Sequence, residues 1–366
     1  MPKIGGIEFL MTGLAGALSN KNLEVIVFAD GKNRRIDQEF DKKSNFKTLR
    51  FYGWKPLRRK SKALAIKNYV KNNNVEGIYT DSWKSVELLE EVVHKKIPVI
   101  SLAHGTELQK EQFNISKINR IKKSLSNVDC VAANSFYTAD RVKDLDINPE
   151  KIKVVYPGVE AAVHPEKTTE EIVKKKIGPG NPCLLTLARL EPRKGQDYII
   201  RILPSLLKDY PNIIYILAGD GPYRKYLYEL AKKYNVKYNV RFLGWITDPE
   251  KQSLLNQSDL FVMPSRIVDA SVEGFGISYI DAAFHGLPTI AGVSGGATDA
   301  VIDDETGYCV DGSSLTEIEK CIRRCLENPE KLKKLGANAK ERAYRDFPWH
   351  IAVNRYLNCL PQRKLS

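Results

Sequence analysis

Residues 272–283 read VEGFGISYIDAA, and the fold class can be argued outward from this stretch. Two acids, Glu273 and Asp281, lie eight positions apart around a Gly-Phe-Gly turn. The residues after Gly276 have helical spacing, so the free backbone N–H groups of that helix's first turn would point at an anion. One acid could then face a sugar and the other a ribose hydroxyl, with a diphosphate between them. The alternative is an ordinary turn before a buried helix.

A loop with three cations supports the diphosphate interpretation. The apolar run 183–188 predicts a buried strand, and Arg189, Arg193 and Lys194 follow it. Such a loop lies at the carboxyl edge of a parallel sheet, where open α/β folds bind ligands. Arg grips phosphate oxygens bidentately and Lys adds a mobile charge, so Arg189 and Lys194 could neutralise a leaving diphosphate without metal. A solvated charged face is the alternative, more so for Arg193 than for Arg189.

His104 has the position of a site residue. It directly follows the apolar run 98–103, so we expect it at the carboxyl end of a strand, with Gly105 allowing close approach. A structural histidine with satisfied hydrogen bonds is the alternative.

Short apolar strands alternate with helical patterns along the chain, which predicts an α/β fold with parallel sheets covered on both faces. The strands predicted in the first half are 23–29, 75–80, 97–102, 128–133 and 152–156. Those predicted in the second half are 183–188, 213–218, 240–243, 260–263 and 288–291. The chain of 366 residues has enough length for two such doubly wound domains.

The net charge of +13 suggests an anionic partner, and the basic residues concentrate at 55–62 and at Lys117, Arg120, Lys122 and Lys123. Nucleic acid is disfavoured as the partner, because no nucleic-acid motif accompanies these residues and no aromatic side chains interleave with them. An anionic membrane surface is better motivated. A generally lysine-rich composition is the alternative.

Targeting signals and metal ligands are not evident in the sequence. No run approaches the roughly 18 apolar residues of a membrane span and no secretory leader is visible, so we expect a cytoplasmic protein. The six cysteines form no Cys-x-x-Cys pair and lack companion His or acidic clusters. Reduced thiols and no metal site are therefore expected.

The chain resembles the retaining GT-B glycosyltransferases of family 4, and among them the phosphatidyl-myo-inositol mannosyltransferases. The segments that carry this resemblance, in the family's order, are 2–8, 103–107, 156–159, 189–195, 218–222, 242–244, 273–281 and 291–297. The resemblance implies two Rossmann-like domains facing a central cleft. The implied parts are an N-terminal acceptor-side domain at 1–163, a linker at 164–182, a nucleotide-sugar-binding domain at 183–346 and a C-terminal helix at 347–366 that crosses back to the first domain.

The activity implied by this resemblance is transfer of a hexose, with mannose favoured, from a nucleotide diphosphate sugar to a lipid or glycan acceptor. No cofactor or metal is implied. The reaction would take place on one face of the sugar, the leaving phosphate would help to deprotonate the acceptor, and His104 would not act as a nucleophile. Peripheral association with the inner face of the cytoplasmic membrane would fit a lipid acceptor.

The resemblance also implies individual roles. The implied catalytic residues are His104, Arg189, Lys194 and Glu273. The implied donor-binding residues are Gly5, Gly6, Gly244, Trp245, Ile246, Gly274, Phe275, Gly276, Ile277 and Asp281. Gly5 and Gly6 would approach the donor phosphate, and His104 would lie beside the transferred sugar. Arg189 and Lys194 would bind the diphosphate, Glu273 the sugar hydroxyls and Asp281 the ribose, with the turn 244–246 near the base.

Three departures from the family pattern matter. In the later Gly-Gly motif, Ala297-Thr298-Asp299 stands where the family usually has Ala-Pro-Glu, and we expect a subtle effect there. The second acid is Asp281 where the family usually has Glu, so the ribose contact needs a closer helix or a bridging water. Met1 stands where the family has a loop after a buried strand. We therefore expect the N-terminal sheet to lack its first strand because the chain begins downstream of the natural start. A sheet that truly lacks this strand is the alternative.

Other functions remain open at this point. One is a nucleotide-sugar-binding subunit with weak or no catalysis, and another is a GT-B sugar-nucleotide 2-epimerase. A dinucleotide oxidoreductase is disfavoured, since no Gly-x-Gly-x-x-Gly follows a strand with an acid some twenty residues on.

Overall fold

The computed structural model of the chain describes residues 5–89, 93 and 96–361. It divides into two compact units: unit 1 is 1–159 with 347–366, and unit 2 is 160–346. Residues 2–4, which carry part of the family resemblance, lie outside the described residues. Among the described helices, none has both the length and the hydrophobicity needed to cross a membrane.

Unit 1 alternates helices and strands. Its helices up to residue 159 are α1 (Gly6–Ser19), α2 (Arg34–Lys43), α3 (Lys55–Asn72), α4 (Trp83–Val86), α5 (Ile115–Ser126) and α6 (Phe136–Lys143). Its strands are β1 (Ile26–Asp30), β2 (Lys47–Phe51), β3 (Ile78–Thr80), β4 (Val99–Ala103), β5 (Cys130–Ala133) and β6 (Ile152–Val154). The five strands predicted for this half are confirmed, and β2 is an additional one.

The strands of unit 1 form two separate parallel sheets, one of β1 and β2 and the other in the order β3-β4-β5-β6. Side chains of β4 and β5 are fully buried, whereas those of β1 are half-buried or exposed. No strand precedes α1 in the part of the chain that is described. The sheet of unit 1 is therefore divided.

Unit 2 is built on one parallel sheet. Its strands are β7 (Cys183–Leu187), β8 (Ile214–Ala218), β9 (Val240–Gly244), β10 (Leu260–Met263), β11 (Thr289–Gly292) and β12 (Tyr308–Val310). Its helices are α7 (Lys167–Ile177), α8 (Gln196–Leu206), α9 (Arg224–Lys233), α10 (Asp248–Asn256), α11 (Ile277–Phe284), α12 (Ala297–Ala300), α13 (Leu315–Glu327) and α14 (Pro329–Asp346). The predicted strands of this half are confirmed, and β12 is additional.

The sheet order of unit 2 can be compared with the divided sheet of unit 1. Unit 2 has the order β12-β11-β10-β7-β8-β9, so its first strand, β7, lies at the centre between its second and fourth strands. If unit 1 followed the same order, a further strand would join β1 to β3, and no described strand pairs with both of them. Within the described residues, this is the arrangement expected for a sheet without its first strand.

Two segments differ from a simple two-domain division of the chain. The stretch 164–182, interpreted as a linker, contains α7, whose Val173 and Ile177 lie four residues apart and are buried in unit 2. The last described helix, α15 (Trp349–Leu357), belongs to unit 1. Ala352 and Tyr356 of α15 join one apolar core with residues of α1. Their buried apolar side chains thus make α7 part of unit 2 and α15 part of unit 1.

Candidate functional site

The carboxyl ends of three neighbouring strands in unit 2 are joined by backbone hydrogen bonds. After β7, the N–H of Leu190 donates to the carbonyl of Asp220, which follows β8, at 3.1 Å. The N–H of Gly219 donates in turn to the carbonyl of Gly244 at the end of β9, at 2.8 Å. The loop that begins at Arg189 is therefore held at the sheet edge where α/β folds bind ligands.

An ion cluster lies on this edge. Arg193 Nη1 is 3.0 Å from Glu273 Oε2, and Lys194 Nζ contacts the same carboxylate oxygen. Glu191 accepts from Arg193 Nε at 3.1 Å and lies 3.2 Å from Arg189 Nη1. Three cations thus surround two acids, so the cluster carries one excess positive charge. Such a cluster suits an anion that arrives from solvent.

Burial shifts the pKa values inside the cluster. Burial raises the pKa of the Glu273 carboxyl, but the neighbouring Lys194 and Arg193 outweigh burial and hold this pKa below its usual range. Burial lowers the pKa of Lys194, and the attraction to Glu273 does not fully offset it. Glu273 is therefore ionised, and a second anion beside Lys194 would stabilise the charge of the lysine.

The exposure of the predicted diphosphate residues differs. Lys194 is buried, whereas 63 % of the Arg189 side chain is exposed, so Arg189 could exchange its contact with Glu191 for a ligand. Arg193, for which the sequence left a solvated charge and a site residue equally open, contacts Glu273. Its spacing from Lys194 gave no signal of this contact, because the contact depends on where the loop after β10 places Glu273.

Glycines set the backbone around Glu273. Gly276 has φ +95° immediately before α11, a conformation that L side chains rarely adopt, and no side chain caps the first turn of this helix. The N–H of Gly296 donates to the carbonyl of Glu273 at 2.8 Å. A Cβ on Gly295 would lie 2.2 Å from that carbonyl oxygen. The predicted residues 274–277 are thus placed at the start of α11, next to the ion cluster.

Asp281 lies further along α11 and is paired with a lysine that the sequence interpretation missed. Lys251 Nζ is 3.0 Å from Asp281 Oδ1, and both side chains are largely buried. Burial raises the pKa of the Asp281 carboxyl despite the attraction to Lys251. Lys251 sits on α10, whose first turn is fixed by a capping box of Thr247 and Glu250.

The turn 244–246 leads directly into α10, so Lys251 connects this turn with Asp281. Gly244 has φ +68°, and Trp245 is exposed beside it. The turn predicted near the base and the acid predicted near the ribose are thus linked through α10, and their roles stay predictions. No local sequence signal indicated this pairing, because it depends on the folded unit placing Lys251 beside Asp281.

A buried ion pair between Arg266 and Asp197 lies next to the cationic loop. Arg266 Nη2 lies 2.9 Å from both carboxylate oxygens of Asp197, and its guanidinium stacks 4.1 Å above the ring of Tyr198. The backbone N–H of Arg266 also donates to the carbonyl of Arg193 at 2.9 Å. The sequence interpretation missed this pair, which fixes the loop after β10 to the turn that carries Lys194.

The predicted residues of unit 1 lie at the ends of secondary structure. His104 follows β4, and its ring Nε2 lies 2.8 Å from the carbonyl oxygen of Asp81. A carbonyl only accepts, so Nε2 carries a proton in this contact. The His104 N–H donates to Glu107 Oε1 at 2.7 Å. Gly5 and Gly6 begin α1, where no side chain caps the helix.

No group of three or more His, Cys, Asp or Glu side chains among the described residues has an arrangement that could hold a metal ion. The cations of the ion cluster have the charge to balance a diphosphate.

Sequence comparisons cover nearly the whole chain. The family described as "Glycosyltransferase Family 4" matches residues 4–163, and the one described as "Glycosyl transferases group 1" matches residues 167–342. A GDP-mannose-dependent alpha-(1-6)-phosphatidylinositol monomannoside mannosyltransferase of Mycolicibacterium smegmatis is 27 % identical, over 99 % of this chain and 96 % of its own. A GDP-mannose-dependent monoacylated alpha-(1-6)-phosphatidylinositol monomannoside mannosyltransferase of Corynebacterium glutamicum is also 27 % identical, over 98 % and 95 %.

Structural comparison gives the same fold. HepE of Anabaena, solved in complex with UDP, superposes with a TM-score of 0.82 at 21 % identity, over 98 % of this chain and 97 % of its own. WaaG, a glycosyltransferase involved in lipopolysaccharide biosynthesis, superposes with a TM-score of 0.69 at 18 % identity, over 98 % and 97 %. The chain therefore belongs to the family 4 glycosyltransferases and has the GT-B fold.

Proposed function

We propose that this chain transfers mannose from GDP-mannose to a phosphatidylinositol-type lipid acceptor, with retention at the anomeric carbon and without a metal. Two mannosyltransferases whose names give this donor and this type of lipid align with almost the full length of the chain. The observation that carries the proposal is the ion cluster around Glu273, which has an excess of positive charge at the start of α11.

In the proposed reaction, the diphosphate of the donor replaces Glu273 as the partner of Arg193 and Lys194. Arg189 swings in from solvent to the same phosphates, since its side chain is the most exposed of the three cations. Glu273 is then released to accept hydrogen bonds from sugar hydroxyls, together with the backbone of 274–277. The three cations stabilise the negative charge that grows on the leaving diphosphate, the usual function of a divalent ion.

The bond changes are those of a glycosyl transfer on one face of the sugar. The bond between the anomeric carbon and the diphosphate oxygen breaks, and its electron pair leaves with the diphosphate. The acceptor hydroxyl oxygen bonds to the same face of that carbon, and its proton passes to the leaving phosphate. Asp281 and the turn 244–246 hold the nucleoside, with Lys251 positioning Asp281. The roles of Gly5, Gly6 and His104 stay predictions from the family resemblance.

The proposed acceptor is a membrane lipid, so we place the enzyme at the cytoplasmic face of a membrane. The names of the two mannosyltransferases support a phosphatidylinositol mannoside rather than a soluble glycan. The glycan acceptor left open by the sequence is tested by the same assay.

The test is nucleotide diphosphate release by the purified protein with EDTA present. GDP-mannose, UDP-glucose, UDP-galactose and UDP-N-acetylglucosamine are supplied separately, with and without vesicles that contain phosphatidylinositol mannosides. We expect GDP release from GDP-mannose alone, accelerated by the vesicles. Lys233→Ala, which removes an exposed cation of α9, is the control for Lys194→Ala and should behave as the wild type.

Three results would replace the proposal. Release from a UDP-sugar only would assign another donor. Tight nucleotide binding without any release would indicate a binding subunit. Conversion of UDP-N-acetylglucosamine to its 2-epimer without an acceptor would indicate an epimerase.

A further inference from the structure

A groove of about 770 Å³ lies beside β9 in unit 2, and we call it the β9 groove. Strand β9 is at the edge of its sheet, so no described strand lies on its far side. The groove is lined by one face of α9, by residues 240–243 of β9, by residues 220–222 and by Lys176. Its volume is within the range of about 300–1,000 Å³ that is typical of sites for small molecules.

The lining of the β9 groove has an excess of positive charge. Its cations are Lys176, Arg224, Lys225 and Arg241, and its acid is Asp220. Lys176 is paired with Glu250, which lies outside the lining, and Arg224 lies 3.9 Å from Asp220. The charges of Lys225 and Arg241 are therefore balanced by no acid among the described residues.

Arg241 is held in place by neutral groups. Its Nε donates to the carbonyl of Ile177 at 2.9 Å, and its Nη1 donates to the carbonyl of Tyr238. Carbonyl oxygens satisfy the hydrogen bonds of a guanidinium but do not cancel its charge. Arg241 thus gives the groove a fixed positive charge.

The cations of α9 can reach a ligand in the β9 groove. Arg224 and Lys225 lie four and three residues before Tyr228, so the three side chains share one face of the helix. Arg224 and Asp220 have side chains that are 43 % and 41 % exposed, and an ion pair of that kind contributes little. A phosphate oxygen could therefore replace Asp220 as the partner of Arg224.

The β9 groove is separate from the cations proposed to bind the donor diphosphate. None of the residues of the ion cluster lines it, and neither does Asp281 nor Lys251. In the sheet of unit 2, β7 and β8 lie between β9 and β10, and Glu273 is in the loop that follows β10. A ligand in this groove would thus use other side chains than the nucleotide sugar does.

We propose that the β9 groove binds a small ligand that carries two or more phosphate groups. Arg224 and Arg241 supply guanidinium groups, which suit phosphate oxygens, and Lys225 supplies a mobile charge. Tyr228 in the same wall offers a ring to the organic part of such a ligand. Inorganic oligophosphates and organic bisphosphates share this chemistry. The proposal does not depend on which sugar the enzyme transfers.

The test is isothermal titration calorimetry with tripolyphosphate and with fructose 1,6-bisphosphate, and sulfate serves as the anion with a single charged group. The titrations use Arg189→Ala/Lys194→Ala protein, in which the ion cluster has lost two of its cations. We expect both phosphate probes to bind at least about tenfold more tightly than sulfate. Adding Lys225→Glu or Arg224→Gln should weaken their binding about tenfold at low salt, and the difference should shrink as salt rises.

Two control substitutions are added to the same protein. Lys233→Glu reverses an exposed charge of α9 outside the lining and should leave binding unchanged, and Lys225→Arg keeps the charge and should bind like the parent protein. Circular dichroism checks that each variant folds. Nucleotide diphosphate release by Lys225→Glu alone should equal that of the wild type, so this readout reports on the donor site separately.

The two probes separate the possible sources of the ligand. Binding of tripolyphosphate alone would assign the groove to free oligophosphates, and binding of both probes would assign it to phosphate groups on either kind of molecule. Equal affinity of the parent protein and its Lys225→Glu variant for both probes would overturn the proposal. Sulfate binding as tight as that of the phosphate probes would overturn it as well.

Discussion

Arg266→Ala should destabilise unit 2 strongly, because it leaves a buried carboxylate without its partner. Asp197 and Arg266 are both more than nine-tenths buried, and one guanidinium nitrogen reaches both carboxylate oxygens at 2.9 Å. Removing one member of such a pair typically costs about 3–5 kcal/mol. For a unit of this size, each kcal/mol lowers the melting temperature by roughly 2–4 °C, so the expected loss is roughly 6–20 °C.

Differential scanning calorimetry of four proteins tests this reasoning: the wild type, Arg266→Ala, Asp197→Leu and the double variant Asp197→Leu/Arg266→Met. The double variant should recover much of the lost stability, because well-packed apolar residues often replace a buried ion pair at little cost. If the double variant melts as low as Arg266→Ala, the loss comes from packing and the argument from an unpaired charge is refuted.

The same variants show whether the pair acts on the donor site. The hydrogen bond from Arg266 to the carbonyl of Arg193 uses the backbone N–H, which methionine keeps. The folded double variant should therefore bind a nucleotide diphosphate nearly as well as the wild type in isothermal titration calorimetry. A complete loss of binding would show that the ion pair itself sets the position of the cationic loop.

Three further predictions concern single side chains. Lys194→Ala and Arg189→Ala should each lower turnover by about 10²-fold to 10³-fold, the cost of losing one donor to a developing anion, and unchanged nucleotide diphosphate release in both would remove the proposed role of these cations. Lys251→Ala should weaken nucleotide diphosphate binding more than Lys251→Arg does, because only the alanine leaves Asp281 buried without a cation; equal affinities in titration calorimetry would contradict this. Burial lowers the pKa of His285 to about 4, so its contribution to stability is complete above about pH 6.5 and is lost as the pH falls from there through 4. The wild type should therefore lose more stability over this range than His285→Gln. If urea unfolding gives the same pH dependence of the free energy of unfolding for both proteins, this prediction is wrong.

Buried parallel strands were predictable because they are short, nearly continuous apolar runs. Ile214–Ala218 is such a run, and its side chains are fully buried in β8. Strand β2 escaped prediction because Lys47 and Arg50 interrupt its pattern. Arg50 is nevertheless compatible with this strand, since its guanidinium contacts Asp41 at 2.5 Å and its side chain is mostly buried. Contacts of this kind depend on the tertiary structure and leave no trace in local periodicity.

In the candidate site, too, the sequence predicted local motifs but not contacts between distant residues. Glu273, Lys194 and Asp281 lie in local motifs, a strand followed by a cationic loop and a glycine turn followed by a helix, so their types and spacing were informative. Lys251 and Arg266 acquire their roles only because α10 and the loop after β10 lie beside those motifs in the folded sheet. Which strand neighbours which is set by the sheet order, and a single sequence does not contain that order.

The divided sheet of unit 1 should allow the β1-β2 pair to unfold locally. In the described residues, no backbone hydrogen bond joins the β1-β2 pair to the four-stranded sheet, so the pair can separate without breaking the larger ladder. Amides of β1 and β2 should thus exchange with deuterium faster than those of β4 and β5. Helix α3 contacts both parts of unit 1. Tyr69 packs against Phe28 of β1, and Arg59 pairs with Glu87, which follows α4.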